Sequence, residues 1–271
     1  GQGVATSSGS IVVKTTDAGT AGVSGHLTFS SGTTSKASSG ELAIGTGTAA
    51  AGKGGSIAIT VGNAAINKGG VITILGGAAV ENTATNDGDG GHVFVAAGAS
   101  NSPTAGGQVG GIVSISGGLT SSKYGGHVYV ATGKNTLNTG GFMSLFTGQG
   151  VATSSGSIVV KTTDAGTAGV SGHLTFSSGT TSSASSGELA IGTGTAAKGK
   201  GGSISITVGT GDNSAGGVLT LRAGASTTST ATSGGHVFLK TGLSATHTGG
   251  FMSLFTGQGV ATSSGSIVVK T

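Results

Sequence analysis

The sequence predicts an all-β chain: a parallel β-solenoid, or β-helix, built from strand units of about 15 residues. Three observations predict it. Apolar residues alternate with small or polar ones, a glycine precedes every alternation, and whole blocks of these units recur almost unchanged. A period of two rich in Val, Ile and Leu is the pattern of a strand with one buried face. Helix is excluded because the apolar period is wrong for it and glycines interrupt every window.

Counting from the leading glycine as position zero, each unit reads G-x-h-x-h-x-t-G, with apolar residues at positions two and four and a small residue at position six. The units follow in chain order from Gly9, Gly25, Gly40, Gly55, Gly70, Gly91, Gly111, Gly126 and Gly141. They continue from Gly156, Gly172, Gly187, Gly202, Gly217, Gly235, Gly250 and Gly265, which makes seventeen predicted strands. The inward pairs begin Ile11/Val13, Leu27/Phe29, Leu42/Ile44, Ile57/Ile59, Ile72/Ile74 and Val93/Val95. Val113/Ile115, Val128/Val130, Met143/Leu145, Ile158/Val160, Leu174/Phe176 and Leu189/Ile191 come next. Ile204/Ile206, Leu219/Leu221, Val237/Leu239, Met252/Leu254 and Ile267/Val269 complete the series. Glycine at both ends of each unit is expected where the chain turns sharply, since glycine enters positive φ without steric cost.

Longer blocks overlie this short repeat. Residues 148–209 reproduce residues 1–62 with Ser183 for Lys36, Lys198 for Ala51 and Ser205 for Ala58. "GQGVATSSGSIVVKT" occurs at 1–15, 148–162 and 257–271. The chain therefore reads as one continuous solenoid over 1–271, with long repeats 1–147 and 148–256 and the start of a third at 257–271. Roughly nine residues of Gly, Ser, Thr, Ala and Asn join consecutive units, too few for a helical crossover, which needs at least about 10–12 residues. Like units in like register stack most naturally in parallel. One or two units could form a turn; the second long repeat is shorter by two units, which keeps the phase of a two-unit turn and favours it.

Composition narrows the function. Glycine accounts for 59 of 271 residues, charged residues for 7%, and there is one proline and no cysteine. Without cysteine there is no disulfide framework and no zinc–thiolate site. The formal net charge of +4 is spread thinly along the chain, whereas a nucleic-acid surface needs clustered cations, so no nucleic-acid partner is expected. There is no uninterrupted apolar run of membrane-spanning length and no signal-peptide pattern at the N-terminus.

Few residues invite chemistry. In a one-unit turn Ser10, His26, Glu41 and Ser56 would be neighbours about 4.7–4.9 Å apart, and the set recurs as Ser157, His173, Glu188 and Ser203. Such a ladder on an open sheet lacks a pocket and oxyanion donors, so no catalytic residues are assigned and no enzyme is expected. His26, His92, His127, His173 and His236 share position one, but no two lie in consecutive units, which argues against a metal site needing three or four convergent ligands. Asp87 and Asp89 in "NDGDGG" have a hard-cation flavour without the further acids of a calcium loop. No metal and no cofactor is assigned. The informative surface residues are apolar: Val71, Leu75, Ile112, Phe142, Phe146, Phe251 and Phe255 fall at outward, odd positions and mark a lateral packing and assembly surface.

Runs such as "SSGSIVVKTT" and "SSGELAIGTGT" resemble the Gly/Ser/Thr-rich tandem-repeat proteins of marine microalgal, diatom-like cell surfaces. The resemblance covers the whole chain and implies an extracellular or cell-surface structural or adhesive role. The coil size is also similar to insect-type β-solenoid antifreeze proteins. Those carry regular outward Thr rows, however, and here position three runs Val12, Thr28, Ala43, Ala58, Thr73, Phe94. The expected function is a structural repeat protein that assembles end to end and laterally with itself into filaments, sheath or adhesive material. The alternative is an ice- or polysaccharide-binding solenoid using a flat Thr/Ser/Ala face, with a surface polysaccharide as partner.

Overall fold

The structure, a computed structural model, describes residues 8–80, 88–100, 109–212, 215–227 and 233–270. It divides into two units, Gly1–Ser144 and Leu145–Thr271. Both are built alike: short extended arms, each starting at one of the position-zero glycines, alternate with bends at positions ten to twelve. The bends lie at 35–37, 50–52, 65–67, 121–123 and 136–138 in the first unit, and at 151–153, 182–184, 197–199, 245–247 and 260–262 in the second.

The predicted parallel β-solenoid, and with it the β-helix of seventeen stacked strands, does not form. Among the described residues there is no β-strand and no helix, and these residues are mostly coil. The reason lies in which positions meet. In a parallel stack, position zero of one unit lies over position zero of another. Here position zero of each arm lies beside positions six and seven of the arm just before it, so neighbouring arms share only a junction. Gly126 donates its N–H to the Gly118 carbonyl at 2.8 Å, and Gly141 to Gly133, Gly156 to Gly148, Gly250 to Gly242 and Gly265 to Gly257 at 3.0 Å. The same bond closes the longer connections, from Gly91 to Gly77, Gly111 to Gly98 and Gly235 to Gly224. A single bond at a neck does not propagate into a ladder, and ordering so many glycines is entropically costly.

At three other junctions threonine at position six supplies a tie. Thr15 Oγ1 donates to the Gly25 carbonyl at 3.2 Å, while Thr46 bonds the Gly55 carbonyl and Thr193 the Gly202 carbonyl, each at 3.3 Å. In five of the bends a side chain at position nine supplies the acceptor. Asn135 Oδ1 accepts the Leu137 and Asn138 N–H groups at 2.8 and 2.7 Å. Thr34 and Thr181 accept from Ala37 and Ala184, Thr120 from Ser122, and Ser244 from His247. These are side-chain mimics of a backbone turn, which Asn, Ser and Thr provide.

The neck also corrects the reason for glycine. None of the position-zero glycines from Gly25 to Gly265 has φ in the left-handed region, so these junctions do not depend on positive φ. At many of them glycine answers a close approach: a Cβ on Gly202 would lie 3.0 Å from Thr193 Cβ, and one on Gly156 would lie 3.1 Å from Thr147 Cβ, whereas at Gly40 and Gly187 the nearest atoms are in ordinary contact at 3.5 and 3.6 Å. Position seven has no such demand, as a Cβ on Gly148 or Gly194 meets nothing within 4 Å. Thr16 and Thr163 occupy that position in their own units. Within the recurrent stretch a further glycine is constrained, because a Cβ on Gly259 would lie 2.6 Å from the Thr262 and Ser263 carbonyl oxygens.

Replacing Gly156 with Ala therefore accelerates amide exchange at residue 156 by about fivefold or more, the loss of roughly one net hydrogen bond. Gly148→Ala leaves that exchange unchanged within about twofold, since its new methyl group meets open space. Equal effects of the two substitutions would contradict the steric account.

Candidate assembly surface

No side chain in the described part of the chain is buried. Alternation survives as a graded exposure of the arms. In the arm opened by Gly250, Met252 is 49% and Leu254 63% exposed, whereas Phe251 is 87% and Phe255 90% exposed. In this arm the even positions are shaded by their own chain and the odd positions stand in solvent, whereas Ile11 and Val269, even positions of the first and last arms, are nearly fully exposed. The arm opened by Gly70 repeats this, with Ile72 and Ile74 partly shaded and Val71 and Leu75 nearly fully exposed. Ile112, Phe142 and Phe146 are exposed to the same high degree, so no connector folds back over the seven apolar residues picked out by sequence.

The outward face also carries contacts between rings two residues apart. His92 and Phe94 have ring centroids 5.7 Å apart at an interplanar angle of 55°, and His236 and Phe238 repeat the pair at 5.7 Å and 49°. Sequence reading placed these histidines outward but did not pair them with the aromatic two positions on. The signal was available, because residues at i and i+2 of an extended segment share a face.

The other candidates remain scattered. The Ser10, His26, Glu41, Ser56 ladder and its copy require stacked strands, which the described residues do not form. Asp87 lies outside the described residues, and Asp89 is exposed. Among the described residues no three His, Asp or Glu side chains come together as a group that could hold a metal ion, and no helix is long and apolar enough to cross a membrane. No protein-family model, curated protein or solved structure matches the chain.

What this surface can do follows from its area. The chain exposes 26,934 Å² at 25.1 kDa. A folded monomer of that mass exposes about 10,000 Å², and a fully unfolded one about 36,000 Å². Most of the apolar surface available for burial is still in water, and each phenylalanine left there forgoes roughly 1.5–3 kcal/mol. Substituting Ser at Phe142, Phe146, Phe251 and Phe255 together is expected to weaken self-association at least about tenfold in sedimentation equilibrium. Amide exchange at Gly91, whose neck with Gly77 is remote in sequence from the substituted side chains, should stay as in the parent. Undiminished association would remove these residues from the surface.

Proposed function

We propose that the chain is a structural repeat protein whose copies associate into extracellular filaments, sheath or adhesive material. The observation that supports this most is the unpaired apolar face carried by every arm. A chain that buries no core of its own has apolar area to bury against another chain, and identical units offer the same face again and again. Low charge points the same way. With 7% charged residues and a formal net charge of +4, little electrostatic repulsion opposes close approach of two copies.

The near-identity of the long repeats gives association a register. Residues 139–162 and 248–271 are the same sequence, so the Phe-bearing arm and the recurrent loop after it are presented twice by one chain. Two equivalent patches on one molecule let each copy engage two others, the condition for an open-ended assembly rather than a closed pair. An extracellular setting is what the resemblance to microalgal surface proteins supports.

Sedimentation velocity over a wide concentration range, with electron microscopy of the concentrated sample, tests the reading. Growth of the sedimenting species with concentration into filaments or sheets is expected. Discrete monomers at the highest attainable concentration would contradict it.

A further inference from the structure

We propose that self-association of this chain is gated by pH through the histidines at position one of the arms. The proposal rests on the assembly reading above and specifies how that assembly is regulated. His26, His92, His127, His173 and His236 all occupy the residue after the opening glycine, on the odd, solvent-facing side of their arms, and all five are exposed. The sixth histidine, His247, stands apart in a bend, where its Nδ1 lies 2.8 Å from Thr246 Oγ1 and its N–H bonds Ser244 Oγ.

Two observations place these rings within the associating face. The imidazoles of His92 and His236 rest against the rings of Phe94 and Phe238 at 5.7 Å, so histidine and aromatic present one joint apolar surface when the imidazole is neutral. Both phenylalanines are nearly fully exposed, so whatever covers them covers the histidine too. Burying a neutral imidazole against an apolar face costs little, whereas an imidazolium there must lose its water and face its counterpart on the neighbouring copy.

The charge balance makes the effect one-directional. Histidine is the side-chain type whose charge changes between about pH 8 and pH 5, so acidification over that range adds positive charge at these positions. Five added charges more than double the formal net charge of +4. Since the five rings are exposed, no other arm packs over them. The charged groups nearest in sequence are Asp89, in the connection before His92, Lys123, in the bend before His127, and Lys240, at position five of the arm that carries His236. One carboxylate cannot offset the series, and Lys123 and Lys240 add to the repulsion. Neutral pH favours the assembled state, and acid opposes it.

The full chain and the variant H26Q/H92Q/H127Q/H173Q/H236Q, which retains His247, would be followed by sedimentation and light scattering at about pH 8 and about pH 5 at matched low ionic strength. The parent is expected to need at least about tenfold more protein to assemble at the lower pH, with the difference shrinking in high salt. The variant is expected to assemble alike at both. A parent that assembles equally or better in acid, or a variant that keeps the parent's full pH response, overturns the gate while leaving association standing. A parent that assembles at neither pH overturns the assembly reading and the gate with it.

Discussion

The close approach of each opening glycine to the end of the preceding arm is the constraint on which the rest of the structure depends. At a neck such as Gly148 to Gly156 the chain returns on itself, and a methyl group on the returning residue would press on Thr147 Cβ at 3.1 Å. That approach fixes where each arm starts, and so which residues fall at even and odd positions. It also explains why position six stays small: Thr, Ser, Val, Ala or Gly fills it at every junction, and threonine there can reach across to the glycine carbonyl. Bends fall at a constant distance further on; Thr34, Thr120, Asn135, Thr181 and Ser244 at position nine accept an N–H of five of them, while Ala49, Ala64 and Ala196 hold the same position before bends that have no such acceptor.

The same constraint leaves the arms without partners. A neck ties one end of an arm to its neighbour by a single backbone bond, so the middle of each arm keeps its own N–H and C=O groups and its apolar side chains in water. Two shaded apolar residues per unit are a small payload against the backbone entropy of some fifteen glycine-rich residues. A folded domain avoids this by layering elements over a common core, and the described residues contain no such layer. The exposed face that results is the physical link between the fold and the proposed role, since apolar area left unburied within a chain is available between chains.

Much of this was legible in the sequence, and the failures have identifiable causes. The alternation separates Met252 and Leu254 from Phe251 and Phe255, and the first pair is the less exposed, although neither pair is buried. The unit boundaries at Gly126, Gly141 and Gly156 are those of the necks. Alternation, however, reports which side chains share a face and says nothing of whether a neighbouring backbone lies within bonding distance; for that reason the inferred parallel ladder did not follow. Glycine was read through dihedral freedom, although its recurrence directly after a connection also fits a contact across the connection, and at many junctions the contact is what requires it. The His92–Phe94 pair needed only the period-two rule, whereas the position-nine turns are hidden by the interchange of Thr, Asn and Ser, which share an acceptor oxygen but no single letter.

The central claim is that apolar surface left in water by the single chain is removed by association. Isothermal dilution calorimetry over a range of temperatures tests it most directly, because apolar burial carries a negative heat-capacity change whatever the sign of the enthalpy. Removal of on the order of 1,000 Å² of apolar surface predicts a heat-capacity change of association near −0.4 kcal/mol/K. A value indistinguishable from zero, in material shown to associate, would mean that the copies meet through their polar connections, and would contradict the account.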